Sequence, residues 1–131
     1  MRWTDGRAVI ATGSPFPPVK FGGVVYKIGQ ANNALVFPGI GLGTIVARAE
    51  RVSDSMLAAA AATVAASTEA GEEGASLLPD VELLREVSLA VATAVAAQAA
   101  KEGLARAPVD HLAQRVRDAM WEPVYCPVVP A

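Results

Sequence analysis

Apolar residues along the chain change their rhythm twice, and each change marks a different kind of element. After the turn signal Asp5-Gly6, the run Arg7-Ala8-Val9-Ile10-Ala11-Thr12 is short, mostly apolar and partly β-branched. That pattern predicts a strand, and the lack of strict alternation suits one covered on both faces. Thr12-Gly13-Ser14-Pro15-Phe16-Pro17-Pro18 is then a loop, because its prolines remove backbone donors and hold each preceding residue extended. Val19-Lys20-Phe21 and Val24-Val25-Tyr26 flank Gly22-Gly23, a pair able to take the positive φ angles of a two-residue hairpin turn.

Beyond Gly29-Gln30-Ala31-Asn32-Asn33 the period lengthens. Residues Ala34 to Ala49 are apolar and small, which predicts a loop leading into a helix with Pro38 in its first turn or at a kink. Ser53 and Asp54 are caps for a second helix over Ser55 to Thr68, ended by Gly71 and Gly74. Asp80 caps a third, in which Leu84, Val87, Val91 and Val95 fall on one stripe, with Gly103 after its last charged turn. Asp110 opens a shorter fourth, with Leu112, Val116 and Met120 on one face, and the proline-bearing tail Trp121 to Ala131 is expected to lie extended over the body. One buried-type strand followed by helices is an incomplete α/β layer, since such a strand needs parallel neighbours and none is evident in this chain.

Composition narrows the class. A chain of 131 residues buries roughly two-thirds of its unfolded surface, so it has room for a core. With 53% hydrophobic and 18% charged residues and a formal net charge of −2, neither disorder nor an electrostatic grip on nucleic acid is expected. The single cysteine, Cys126, has no partner for a disulfide, which fits a reducing compartment and a cytoplasmic location. Charge-free stretches run from Ile28 to Ala47, Ser55 to Thr68 and Val87 to Ala100. The first holds Gln30, Asn32, Asn33, Pro38 and glycines, and the others are alanine-rich and read as too short, so no membrane span is expected.

Candidate chemistry is sparse. Gly39-Ile40-Gly41-Leu42-Gly43 imitates a dinucleotide fingerprint, but Thr44 stands where the third glycine belongs and no acidic residue follows at the required distance. Close helix packing is the better account. Ser14 lacks the nucleophile-elbow pattern, and His111 lies far along in a predicted helix with no ligand cluster to join, so an acyl-transfer hydrolase is disfavoured. Asn32-Asn33 is the most informative polar pair, because an amide offers two donors and an acceptor without adding charge. From the residues alone, a capping or turn role is the first reading of that pair.

Taken together, certain segments carry more. Trp3-Thr4-Asp5-Gly6-Arg7-Ala8, Ala11-Thr12-Gly13-Ser14-Pro15-Phe16-Pro17-Pro18-Val19, Ile28-Gly29-Gln30-Ala31-Asn32-Asn33-Ala34 and Val36-Phe37-Pro38-Gly39 resemble the malic enzymes in content, order and spacing. The resemblance continues through Val52-Ser53-Asp54 with Met56, Leu78-Pro79, Glu86-Val87-Ser88 with Ala92, and Met120-Trp121-Glu122-Pro123-Val124-Tyr125; Ala31 departs from it, where glycine is common.

The resemblance implies the C-terminal part of an incomplete Rossmann-like α/β domain: one parallel-type strand plus a hairpin, then about four helices. Residues 1–52 would hold the strand, hairpin, Asn-Asn loop and first helix, and 53–131 the trailing helices and tail. It also implies oxidation and decarboxylation of malate with NAD or NADP and a divalent Mg or Mn ion. In that scheme Asn33 or Asn32 bonds malate, Asn33 being slightly favoured, and Gly13, Ser14 and Pro15 lie beside the nicotinamide. The family's lysine base, tyrosine acid, acidic metal triad, second malate-binding asparagine and dinucleotide fingerprint are all expected upstream. Lys20, Lys27, Lys101, Tyr26 and Tyr125 match none of those positions. The implied partners are the remaining N-terminal part of the enzyme and further copies in a homo-oligomer. The competing reading is a non-catalytic binding or oligomerisation module derived from that domain.

Overall fold

The computed structural model describes residues 1–68, 71–125 and 127. A short 3-10 turn, Arg2–Thr4, ends where Asp5 (φ 50°) and Gly6 (φ 79°) take left-handed backbone and send the chain into its first strand. The ladder there is shorter than expected: strand β1 is Ala11–Thr12 only. It pairs in parallel with β4, Gly29–Gln30, in the register Ala11↔Gly29 and Thr12↔Gln30. The expectation that this chain supplies no parallel neighbour is therefore corrected. Gly29-Gln30 has no apolar run to announce a strand; its pairing comes from Ile10 and Thr12, whose carbonyls accept from Gly29 N (3.1 Å) and Ala31 N (2.9 Å). Cover on both faces is also not what is observed, since Val9 stands 69% exposed.

Between the paired strands lies the hairpin, β2 (Val19–Phe21) and β3 (Val24–Tyr26), antiparallel with Val19 opposite Tyr26 and Phe21 opposite Val24. Gly22 (φ 58°) and Gly23 (φ 85°) make the turn, which needs positive φ at both central positions for its twist to match the strands. The hairpin is fastened to the body at two points. Tyr26, buried, donates its hydroxyl to Glu73 Oε1 at 3.0 Å, and Lys27 N donates to the Gly74 carbonyl at 2.8 Å.

The helices follow the apolar pattern closely. Asn33–Leu35 forms a 3-10 turn before α1, Phe37–Ala47, with Pro38 in its first turn, where a missing N–H costs nothing. Helix α2, Asp54–Ala66, is capped by Ser53, whose Oγ accepts from Met56 N at 3.2 Å. Asp80 accepts from Glu82 N at 3.1 Å and caps a 3-10 turn, Val81–Leu83, that runs into α3, Leu84–Lys101. Val87, Val91, Val95 and Ala99 of α3 are buried among Leu35, Met56, Ala60 and Val64, so this stripe is the spine of the core. Helix α4, Leu112–Ala119, packs Val116 against Ala92 and Val46.

Three smaller expectations change. The element Val81–Lys101 has 21 residues and by length and composition alone is long enough to cross a membrane, so the stretch read as too short is part of a longer helix; here it is the core helix. His111 is not inside a helix but precedes α4 in left-handed backbone (φ 50°). The tail is tethered by Arg85 Nη1, which donates to the Trp121 carbonyl at 3.0 Å, yet the Trp121 side chain is 77% exposed. The expectation for residues 126 and 128–131 lies outside the described residues.

Candidate functional site

Parallel pairing of β1 with β4 has a direct consequence for the candidate residues. Thr12 and Gln30 are register partners and each is the last residue of its strand, so Gly13-Ser14-Pro15 and Ala31-Asn32-Asn33 leave the sheet side by side at its carboxyl edge. In open α/β sheets that edge is where ligands bind.

Hydrogen bonds shape both loops. Thr12 Oγ1 donates to the Ser14 carbonyl at 2.8 Å, and Gln30 Nε2 reaches across to the Gly13 carbonyl at 3.3 Å. Asn32 is half-buried in extended backbone and its Oδ1 accepts from Ala34 N at 2.9 Å, capping the following 3-10 turn. Asn33, one residue on, is exposed, and among the described residues its amide makes no side-chain hydrogen bond. The pair therefore divides its labour: Asn32 has the capping role, and Asn33 presents two donors and an acceptor to solvent. Ala31 keeps a negative φ, so the departure from glycine there involves no strain.

Neither loop contains a titratable side chain from Gly13 to Pro18 or from Ile28 to Val36. The edge can thus orient a carboxylate, hydroxyl or carboxamide but has no group to carry a proton. Ser14 has no histidine in either loop to activate it, and His111 stands at the start of α4. Tyr26 is held above its ordinary pKa of 10.0 by the hydrogen bond its hydroxyl donates to the Glu73 carboxylate, then by burial and by the negative charges of Glu73 and Asp5. That hydroxyl is kept neutral and occupied.

Phosphate binding by the glycine run is also answered by geometry. A Cβ on Gly39 would lie 2.5 Å from Val91 Cγ1, and one on Gly43 would meet the Ala92 carbonyl oxygen and lie 2.9 Å from Val95 Cβ. These glycines face α3, where their bareness lets two helices touch, and they do not form a phosphate cradle. Among the described residues no group of three or more histidine, cysteine, aspartate or glutamate side chains gathers as a metal site. The side-chain groups at the two strand ends are uncharged hydroxyls and amides: Thr12, Ser14, Gln30, Asn32 and Asn33.

Among the described residues, cavities also lie elsewhere. One, of about 390 Å³, is bordered by Arg7, Tyr26, Lys27, Glu72 and Glu73. Another, an apolar groove of about 480 Å³, runs from Ala34 and Pro38 along Leu42 and Ile45 to Met120 and Trp121. None of Gly13, Ser14, Pro15, Asn32 and Asn33 lines either one, though the groove begins beside Asn33. Thr12 and Gln30, which shape the loops, were not singled out from sequence; their signal was only that each is the polar residue just before a turn-forming segment.

The family described as malic enzyme, NAD binding domain, matches residues 1–100. The chain is 55% identical over 128 residues to NAD-dependent malic enzyme 3 of Bacillus subtilis, covering 98% of this chain and 23% of that protein. It is 42% identical over 125 residues to the malolactic enzyme of Lactococcus lactis, covering 95% of this chain and 23% of that one. Among solved structures, the malic enzyme of Pyrococcus horikoshii superposes with a TM-score of 0.66 at 33% identity, over 84% of this chain and 23% of that chain. The chain thus spans about a quarter of the length of the relatives it matches.

Proposed function

The chain belongs to the malic enzyme family, as part of its NAD-binding domain, and from that premise we propose that it supplies one wall of the malate and nicotinamide pocket of a decarboxylating oxidoreductase. The reaction is the conversion of malate to pyruvate and carbon dioxide. NAD is the preferred dinucleotide of this proposal over NADP, because the Bacillus subtilis relative is named for NAD. Within the pocket Asn33 hydrogen-bonds malate, Asn32 holds the backbone that presents it, and Gly13, Ser14 and Pro15 lie along the nicotinamide. The observation that carries this reading is the side-by-side exit of both loops from the carboxyl ends of two paired parallel strands.

What the chain does not hold is the chemistry of proton transfer. A divalent cation, Mg or Mn, would supply stabilisation of developing negative charge when bound, and its ligands are expected from the remainder of the enzyme, as are the base and acid. This chain binds and orients. The pure 131-residue chain, given malate, NAD and manganese, is expected to produce no reduced cofactor. A chimera in which it replaces the matching segment of the Bacillus subtilis relative is expected to be active. Turnover by the chain alone, or a folded chimera without activity, sinks the proposal.

A further inference from the structure

The residue that joins the two loops is neither asparagine but Gln30. We infer that Gln30 is a positioning residue that holds the Gly13–Pro15 loop at a set distance from the Asn32–Asn33 loop, an inference resting on the reading of those loops as one pocket. The backbone ladder ends just short of the site: Ala31 N donates to the Thr12 carbonyl at 2.9 Å, and the next residue on the β1 side, Gly13, is already loop. Pro15, Pro17 and Pro18 have no N–H with which to anchor that loop. Two side-chain hydrogen bonds replace the ladder there. The bond from Thr12 Oγ1 to the Ser14 carbonyl is local and shapes the loop internally. The bond from Gln30 Nε2 to the Gly13 carbonyl spans 17 residues and, among the described residues, is the side-chain bond that crosses between the loops.

Gln30 also reaches the other side. Its own carbonyl accepts from Asn32 N at 3.0 Å, and Asn32 in turn caps the turn on which Asn33 stands. One residue therefore touches the cofactor-side loop through its amide and the substrate-side loop through its backbone. A substitution that removes only the amide donor leaves the strand pairing and the Asn32 contact, which are main-chain bonds, in place. The spacing between loops is what such a change loosens, and reacting groups brought slightly out of line lose rate more than affinity.

The test is made in the active chimera with Gln30→Met, which keeps length and removes the donor, and Gln30→Lys, which restores a donor able to reach the Gly13 carbonyl. Gln30→Met is expected to lower kcat by about three- to tenfold, the range of one net hydrogen bond, with KM for malate changed less than kcat. Gln30→Lys is expected to recover most of the loss. In amide spectra of the 131-residue chain, Gln30→Met is expected to move the resonances of Gly13, Ser14 and Phe16 as well as those beside position 30. Equal kinetics for both variants, or spectral changes confined to residues 28–34, overturn the inference. The pocket reading has its own separate test in Asn33→Ala: if that variant leaves malate kinetics untouched, the pocket fails whatever Gln30 does.

Discussion

Two adjacent asparagines of identical chemistry have different fates because one amide is used by the backbone and the other is not. Asn32 Oδ1 accepts from Ala34 N, so Asn32→Ala is expected to cost roughly 0.5–2 kcal/mol of stability, as loss of a helix cap does. Asn33→Ala is expected to change stability by less than about 0.5 kcal/mol, as an exposed site does, while weakening malate binding in the chimera. Urea unfolding of both variants beside malate kinetics separates the roles; a larger stability loss at Asn33 reverses the assignment. Tyr26 gives a second residue-scale expectation. Its pKa is raised in the fold, so the hydrogen bond to Glu73 contributes fully below the ordinary value of 10.0 and is lost as pH rises through the raised value. Ultraviolet titration of phenolate should show Tyr26 ionising above 10.0, and Glu73→Gln should bring it down; no movement in that variant means the bond is not made.

At the scale of elements, the glycines of α1 show how one motif serves two environments. Gly39 and Gly43 meet α3, whereas a Cβ on Gly41 finds nothing within 4 Å. Gly43→Ala is expected to destabilise by roughly 1–3 kcal/mol, because the obstructing Ala92 carbonyl is backbone and cannot swing aside. Gly41→Ala is expected to stabilise by about 0.5–1 kcal/mol through helix propensity alone. Denaturant midpoints of the two variants moving the same way would contradict the crossing of α1 with α3. The helix stripes, the hairpin and the Ser53 cap were readable from spacing because each depends on residues within a few positions of one another. Strand β4 was not: Gly29-Gln30 becomes a strand only because Ile10 and Thr12, some way back in the chain, offer it carbonyls.

Among the described residues the whole molecule has a helical core beside two sheets of two short strands each. Leu35, Met56, Val91 and Val95 are sealed inside, while Val9, Phe37, Ile45 and Trp121 are exposed by 69%, 62%, 72% and 77%. Of these, Ile45 and Trp121 border one apolar groove, and contiguous exposed apolar surface is a candidate for contact with another chain. Together with the quarter-length match, it leads to an expectation about stability. Mixed with the separately produced remainder of the Bacillus subtilis enzyme, the chain should unfold at a higher temperature that rises with the concentration of that partner, as binding to the native state requires. Hydrogen exchange should slow along Arg7–Thr12. A midpoint indifferent to the partner argues for an independent module.

Sequence by itself determined the elements whose causes are local and the family whose motifs lie in order along the chain. The positive-φ turn at Gly22-Gly23, the caps at Ser53 and Asp80 and the Val87-Val91-Val95 stripe follow from conformational limits and helical period, and the Ser14-Pro15 and Asn32-Asn33 motifs carried the resemblance. Tertiary structure alone decided which asparagine is spent on a cap, which glycines face a helix, that His111 is a left-handed residue ahead of α4, and that Gln30 bridges two loops. The glycine contacts and the Gln30 bridge depend on groups brought together from separate parts of the chain, while the Asn32 cap and the His111 angle are local choices among near-equal alternatives that only the folded backbone makes.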